Sequence, residues 1–110
     1  MTEQSPATWY AVMPAAELWQ GEVVGIELGG KKIVLVNVAG EIRAFEDRCP
    51  HLGSQLSAGN LDGSTLTCAN HLWEFDALTG KGTNPGNCQL TVFDTRVRAD
   101  QIELLVPGPR

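Results

Sequence analysis

The sequence predicts an all-β fold, built as a small antiparallel sandwich or barrel. Two observations lead to this prediction. Short runs rich in β-branched residues recur along the 110-residue chain, and turn-forming pairs such as Gly-Gly, Ala-Gly and Asp-Gly separate them. A chain of this length is expected to fold as one domain, and no internal repeat divides it, so residues 1–110 are expected to be a single domain.

The first third of the chain predicts strands on either side of one short helical element. Residues 8–13 alternate weakly between apolar and polar side chains, as in a strand. The stretch from 14 to 19 is predicted to form a single helical turn, because Pro14 suits the first helical position. Two β-branched runs, 22–28 and 31–38, are joined at Gly29-Gly30, which predicts a hairpin.

The rest of the chain repeats the same arrangement, an apolar run on each side of a short turn. Ala39-Gly40 is predicted to turn the chain into a strand at 41–45. Asp62-Gly63 is predicted to lead into a strand at 65–68, with which a strand at 71–76 pairs back. Ala99-Asp100 is predicted to join strands at 90–98 and 101–106 in a last hairpin.

Both histidines of the chain and two of its three cysteines fall into one pattern. Cys49-Pro50-His51 is followed by sixteen residues and then by Cys68-Ala69-Asn70-His71, which gives C-x-H-x16-C-x2-H. Two thiolates and two imidazoles suit one 2Fe–2S cluster in which cysteines hold one iron and histidines the other. The predicted ligands are therefore Cys49, His51, Cys68 and His71. Such a chain carries single electrons and does no substrate chemistry itself.

Each half of the pattern lies in a loop that leaves a strand. The first loop contains Pro50, which restricts the backbone between two ligands, and the second is the tip of a hairpin. Two such loops, or fingers, are expected to close on each other and to form a cluster-binding part over residues 46–88. Residues 82–87 are rich in turn formers and are predicted to fold over this part as a lid.

The ligand pattern by itself leaves two alternatives open. Two cysteines and two histidines also form structural zinc sites, and an accidental cluster without metal is the second alternative. The first pair is separated by one residue, whereas zinc ligand pairs are normally separated by two to four. This spacing favours iron–sulfur over zinc.

Charge and composition restrict the partners. The formal charge of −5 disfavours nucleic acid, because phosphates need a basic face, and it favours a partner with a basic docking patch. Acidic residues flank both fingers at positions 46, 47, 74 and 76, and two interpretations stay open, charges that steer such a partner or a plain solvated surface. The first residues lack the order of a signal peptide and no apolar run approaches about 18 residues, so a cytoplasmic monomer without membrane contact is expected.

With these residues in place, the chain resembles soluble Rieske-type ferredoxins from the Leu18–Glu22 turn to the last hairpin. The stretches 68–75 and 79–85 look like the ferredoxin component of bacterial toluene and related aromatic monooxygenases. The resemblance implies an NADH-dependent flavin and iron–sulfur reductase as electron donor. It implies a carboxylate-bridged diiron hydroxylase as acceptor, and an electron port at the histidine ligands.

The chain departs from the high-potential Rieske subunits of quinol oxidases at four positions. Their disulfide cysteines correspond to Ser54 and Asn70, and their Ser and Tyr hydroxyls beside the cluster correspond to Trp73 and Phe75. Fewer hydrogen bonds to the cluster sulfurs stabilise the reduced state less. We therefore expect a midpoint of about −150 mV rather than about +300 mV, and a clearly positive potentiometric midpoint would contradict this expectation.

Three other functions compete with this interpretation. The first is a ferredoxin that serves a Rieske ring-hydroxylating dioxygenase, and the second is a zinc-stabilised interaction module. A catalytic oxygenase subunit would need two further histidines for its mononuclear iron, and the chain has only two in all. Among other residues, Cys88 is expected to be a buried structural thiol, and Trp9 and Trp19 to pack in the core or at its edge.

Overall fold

The computed structural model describes residues 8–28, 30–48, 56–68, 73–84 and 88–106. These residues contain ten strands, two short 3-10 turns and no α-helix. The strands are β1 (Thr8–Pro14), β2 (Val23–Leu28), β3 (Lys31–Val38), β4 (Glu41–Glu46), β5 (Asn60–Asp62), β6 (Thr65–Thr67), β7 (Glu74–Asp76), β8 (Gly82–Asn84), β9 (Val92–Arg98) and β10 (Gln101–Val106), and the 3-10 turns are Ala15–Glu17 and Leu56–Ala58.

The strands form two antiparallel sheets. The large sheet has six strands in the order β1-β10-β9-β4-β3-β2, and the small sheet has four in the order β5-β6-β7-β8. Every neighbouring pair runs antiparallel, as the sequence predicted for an all-β sandwich or barrel. The all-β prediction is confirmed.

Strand β3 is buried on both of its faces. Its residues from Ile33 to Val38 are all buried, although alternate side chains of a strand point in opposite directions. Ile33 and Leu35 belong to a core inside the large sheet, whereas Val34, Val36 and Val38 belong to a second core shared with the small sheet. The continuous β-branched run in the sequence thus reflects a strand between two hydrophobic cores.

The second core joins the two sheets. Phe45 of β4 packs there with Leu66 of β6 and Phe75 of β7, and all three are fully buried. Burial of an aromatic side chain of this size contributes roughly 2–3 kcal/mol. The small sheet is therefore attached to the large one through side chains of β3 and β4.

The hairpin turns have the backbone that their sequences predict. Ala39 and Gly40 have φ values of 53° and 96°, and Ala99 and Asp100 have values of 53° and 66°. Two consecutive residues with positive φ match the right-handed twist of the flanking strands, which is why this turn joins hairpins. The turns predicted between β3 and β4 and between β9 and β10 are confirmed.

Three details differ from the sequence predictions. Pro14 ends β1, and the predicted helical turn is a 3-10 turn that begins one residue later. β5 and β8 were not predicted as strands, because three residues are too few for a periodic pattern. Trp19, expected to pack in the core or at its edge, is 70% exposed, while its indole N–H donates to the Ala16 carbonyl at 2.9 Å.

Candidate metal centre

Cys68 lies directly after β6, at the point where the second predicted finger begins. The residue is fully buried and belongs to the core shared by the two sheets. Its backbone N–H donates to the Trp73 carbonyl at 2.8 Å, so the two residues close the hairpin between β6 and β7. The predicted hairpin is confirmed for β6, β7 and the pair of Cys68 and Trp73 that closes them. Residues 69–72, which include His71, lie outside the described residues.

The first predicted finger begins at the end of β4. Asp47 follows β4 and continues the ladder with β3, because its N–H donates to the Lys32 carbonyl at 2.9 Å. Only 4% of Asp47 is exposed, and its carboxylate accepts two hydrogen bonds from Ser57. Asp47 therefore belongs neither to a docking surface nor to a solvated surface, and both interpretations are wrong for this residue, whereas Glu46 beside it is exposed.

The register of the small sheet brings the loop ends to one edge. β5 begins opposite the end of β6, since Asn60 pairs with Thr67, and β7 begins there too, since Thr67 pairs with Glu74. β8 ends at the same edge, because Asn84 pairs with Glu74. The chain that returns from the first finger, both ends of the second finger and the start of residues 85–87 therefore meet at this edge.

The predicted lid is partly a strand. Gly82–Asn84 forms β8, the outer strand of the small sheet, so this part of the lid prediction is wrong. Residues 85–87 lie outside the described residues. The Gly82 N–H donates to the Cys88 carbonyl at 2.8 Å, which closes the base of this third segment.

Of the four predicted ligands, the structure describes one. Cys49, His51 and His71 lie outside the described residues, whereas Cys68 is described and makes no disulfide. The other cysteine that is described, Cys88, is half-buried and packs against the same core as Cys68. Trp73 packs against this core as well.

The predicted donor set and the position of Cys68 fit a 2Fe–2S cluster. Each predicted finger contains one cysteine and one histidine in its sequence, and the buried Cys68 lies where the second finger leaves the shared core. Sulfur ligands held in an apolar surrounding suit an iron–sulfur cluster, whose properties depend on burial and on hydrogen bonds to sulfur. The all-β fold and the Cys/His pattern together indicate a small iron–sulfur protein of the electron-carrier class.

Comparison with known proteins identifies the family. Residues 8–94 match the Rieske 2Fe-2S domain family, and the chain belongs to this family. The ferredoxin component of the alkene monooxygenase system of Xanthobacter autotrophicus is 31% identical over 101 residues, which cover 91% of this chain and 83% of the relative. The cofactor of the present protein is accordingly one Rieske-type 2Fe–2S cluster, and the alternative of a structural zinc site is not supported.

Two further similarities extend the comparison. The ferredoxin component of the naphthalene 1,2-dioxygenase system of Pseudomonas putida is 34% identical over 66% of this chain and 70% of the relative. A solved complex of reduced oxygenase and oxidised ferredoxin in carbazole 1,9a-dioxygenase contains a chain with a TM-score of 0.82. That chain is 26% identical, with coverage of 93% of this chain and 97% of that one. This protein is thus a Rieske ferredoxin of the kind found in oxygenase systems.

Sequence reasoning missed two features of the site. Ser57, which holds the Asp47 carboxylate, carried no recognisable signal because serine is common in loops. The hydrophobic pattern also failed to mark Leu56, a fully buried residue in a 3-10 turn. In the part of the chain that the structure describes, no helix has the length and hydropathy needed to cross a membrane.

Proposed function

We propose that this protein carries single electrons from an NADH-dependent flavin and iron–sulfur reductase to the diiron hydroxylase of a toluene-type aromatic monooxygenase. The observation that carries the proposal is the C-x-H-x16-C-x2-H pattern, which contains every histidine of the chain. It is supported by the register of the small sheet, which brings the returning end of the first pattern-bearing loop and both ends of the second to one edge of that sheet. In this proposal the protein is a cytoplasmic monomer of one domain.

We assign the cluster ligands as Cys49 and Cys68 on one iron and His51 and His71 on the other. The bound cluster supplies reversible one-electron transfer. Cys68 would hold the cluster from the core side, where its side chain is fully buried. Histidine ligands at loop tips would provide the edge at which a partner receives the electron.

The acidic surface supports a partner with a basic docking patch. The chain carries a net charge of −5, and Glu46 is exposed next to the first finger. Glu74 and Asp76 lie on β7 and are half-buried. Opposite charge on a partner raises the rate of encounter. High salt screens this attraction and lowers the rate again.

The acceptor is the part of the proposal that needs discrimination. The alkene monooxygenase relative spans most of the chain and supports a monooxygenase acceptor, as do Trp73 and the Gly-x-Asn-Pro sequence at 82–85. The naphthalene dioxygenase relative and the carbazole dioxygenase complex favour the second candidate, a ferredoxin for a Rieske dioxygenase.

A reconstitution with two acceptors tests the proposal. Cluster-loaded protein, NADH and one reductase are combined with either a toluene-type diiron hydroxylase or a Rieske dioxygenase. Phenolic product with the first acceptor alone supports the proposal, whereas a cis-dihydrodiol with the second alone replaces it by the dioxygenase alternative.

Two controls make the reconstitution specific. Cys68→Ser protein should transfer no electrons, because one assigned ligand is replaced by a weaker one. Cys88→Ser changes the other described cysteine outside the assigned set, and it should retain transfer. Loss of transfer in both variants to the same extent would contradict the ligand assignment.

A further inference from the structure

One short segment contacts the bases of both fingers. It consists of residues 56–59, a 3-10 turn with the glycine that follows it, and we call it the bridging turn. Leu56 of this turn is fully buried in the core shared by the two sheets. The Gly59 N–H donates to the Leu56 carbonyl at 2.9 Å, which closes the turn on itself.

The bridging turn is attached to the start of the first finger by two hydrogen bonds. The Ser57 N–H donates to Asp47 Oδ1 at 2.8 Å, and the Ser57 hydroxyl donates to Asp47 Oδ2 at 2.6 Å. Asp47 is itself fixed, because it is almost fully buried and its N–H continues the ladder with β3. The two residues therefore join the chain two positions before Cys49 to the chain six positions after His51. Hydrogen bonds to a carboxylate are stronger than neutral ones.

A glycine of β2 allows this attachment. A Cβ placed on Gly25 would lie 2.7 Å from Ser57 Oγ, 2.8 Å from Ser57 Cβ and 3.1 Å from Asp47 Oδ2. Only hydrogen fits in this space, so the Asp47–Ser57 pair is packed against the backbone of the large sheet. Any side chain at this position would have to displace the pair.

A second glycine brings the bridging turn against the base of the second finger. A Cβ on Gly59 would collide with the backbone carbonyl oxygen of Thr67, the residue before Cys68. Replacement of this hydrogen would separate two backbones, which is costly because neither can rotate away. The turn therefore has one fixed contact at Asp47 and another at Thr67.

We infer that the bridging turn is a positioning element that sets the distance between the two Cys/His fingers, with Asp47 and Ser57 as positioning residues for the cluster. The inference rests on the ligand assignment of the proposed function. Four ligands on two fingers hold two irons only if the finger bases keep one separation. The described contacts that join those bases through a single turn are those of Ser57, Leu56 and Gly59.

The test uses full-length, cluster-loaded protein with changes at the attachment. Asp47→Ala removes both hydrogen bonds, and Ser57→Ala removes the one from the hydroxyl. Asp47→Asn keeps the shape, since its amide oxygen can accept the Ser57 N–H and its amide N–H can donate to the hydroxyl. Gly25→Ala displaces the pair from a different strand and leaves both side chains unchanged.

Three readouts separate positioning from stability. The first is the rate at which the brown cluster bleaches in the presence of an iron chelator, the second the EPR spectrum of the reduced protein, and the third the thermal midpoint by far-UV circular dichroism. Asp47→Ala should bleach about tenfold faster, as expected for loss of a charge-assisted hydrogen bond. The EPR signal of Asp47→Ala should shift or broaden. Gly25→Ala should show the same faster bleaching and the same change in the EPR signal.

Control variants show whether these effects are specific to the Asp47–Ser57 attachment. Glu27→Ala alters an exposed neighbour of Gly25 on the same strand, and it should match the wild type. Asp47→Asn should restore most of the cluster lifetime and the wild-type EPR signal. If the Asp47→Ala protein cannot be produced in folded form, the Ser57→Ala variant tests the inference in its place, because it removes one half-buried hydroxyl and nothing else.

Failure of this inference and failure of the proposed function would give different results. Wild-type bleaching rates and EPR spectra in Ser57→Ala and Gly25→Ala would overturn the inference and leave the proposed function intact. A lowered thermal midpoint with an unchanged EPR signal in all variants would also overturn it, because the turn would then act on stability alone. A wild-type protein that binds no 2Fe–2S cluster would contradict the proposed function itself.

Discussion

The two sheets of this protein differ in how they are stabilised. Strands of the large sheet have six to eight residues, whereas each strand of the small sheet has three. Three-residue strands make few ladder hydrogen bonds, and so short a sheet is marginal by itself. Its central side chains are instead packed on β3 and β4 of the large sheet. The small sheet, next to the assigned ligand Cys68, therefore depends on packing for its stability, whereas the large sheet depends more on its own strand pairing.

The largest expected effect comes from removal of Cys68, the assigned ligand that directly follows β6 of the small sheet. Cys68→Ser should abolish the cluster, because the oxygen of serine is a poor ligand for iron–sulfur clusters. Iron content and the EPR signal should fall to background. Amide hydrogen exchange should then be faster in the small sheet than in the large one, and equal protection in both sheets would contradict the comparison.

Matched core truncations in the two sheets should separate stability from cluster binding. Phe75→Ala in the small sheet should lower the free energy of unfolding by about 3–5 kcal/mol, and Ile102→Ala in the large sheet by about 2–5 kcal/mol. Denaturant unfolding measures both. Only Phe75→Ala should also accelerate cluster loss under native conditions, because Phe75 shares its core with Cys68. Equal acceleration by Ile102→Ala would show that the two cores do not act separately.

A buried polar residue of the large sheet should have a smaller effect. Asn37 is 7% exposed, its amide N–H donates to the Leu18 carbonyl at 2.8 Å, and its amide oxygen accepts the Gly40 N–H at 2.7 Å. Asn37→Ala should cost about 1–3 kcal/mol of unfolding free energy, because two backbone groups lose their partner. Asn60→Ala, at an exposed position, is the control. A changed EPR signal in Asn37→Ala would mean that the two sheets are more tightly coupled than their packing indicates.

The smallest expected effect is at a hairpin turn of the large sheet. Ala39 has a φ of 53°, a conformation that glycine adopts without steric cost. Ala39→Gly should therefore stabilise the protein by about 0.5 kcal/mol. Thermal unfolding of this variant is compared with that of Ala16→Gly, an exposed residue without positive φ, which should be destabilised. Destabilisation by both changes would show that the turn is not strained.

Much of the large sheet was predictable because its signals are local. The runs that form β2, β3 and β4 lie next to one another in the chain, and Ala39-Gly40 shows where the strands reverse. β1 is different, since it pairs with β10 across almost the whole chain. No local pattern specifies this pairing, because it depends on which strand edge is left uncovered when the sheet curls.

The same division holds for the candidate site. The sequence by itself determined the all-β class, the hairpins of the large sheet and the Cys/His pattern, because strand alternation, turn conformation and ligand chemistry are properties of neighbouring residues. Only the tertiary structure decided that Asp47 is buried, that Trp19 is exposed and that residues 56–59 contact both finger bases. Burial and close approach depend on what covers a residue in the folded chain, and that covering comes from segments far away in the sequence.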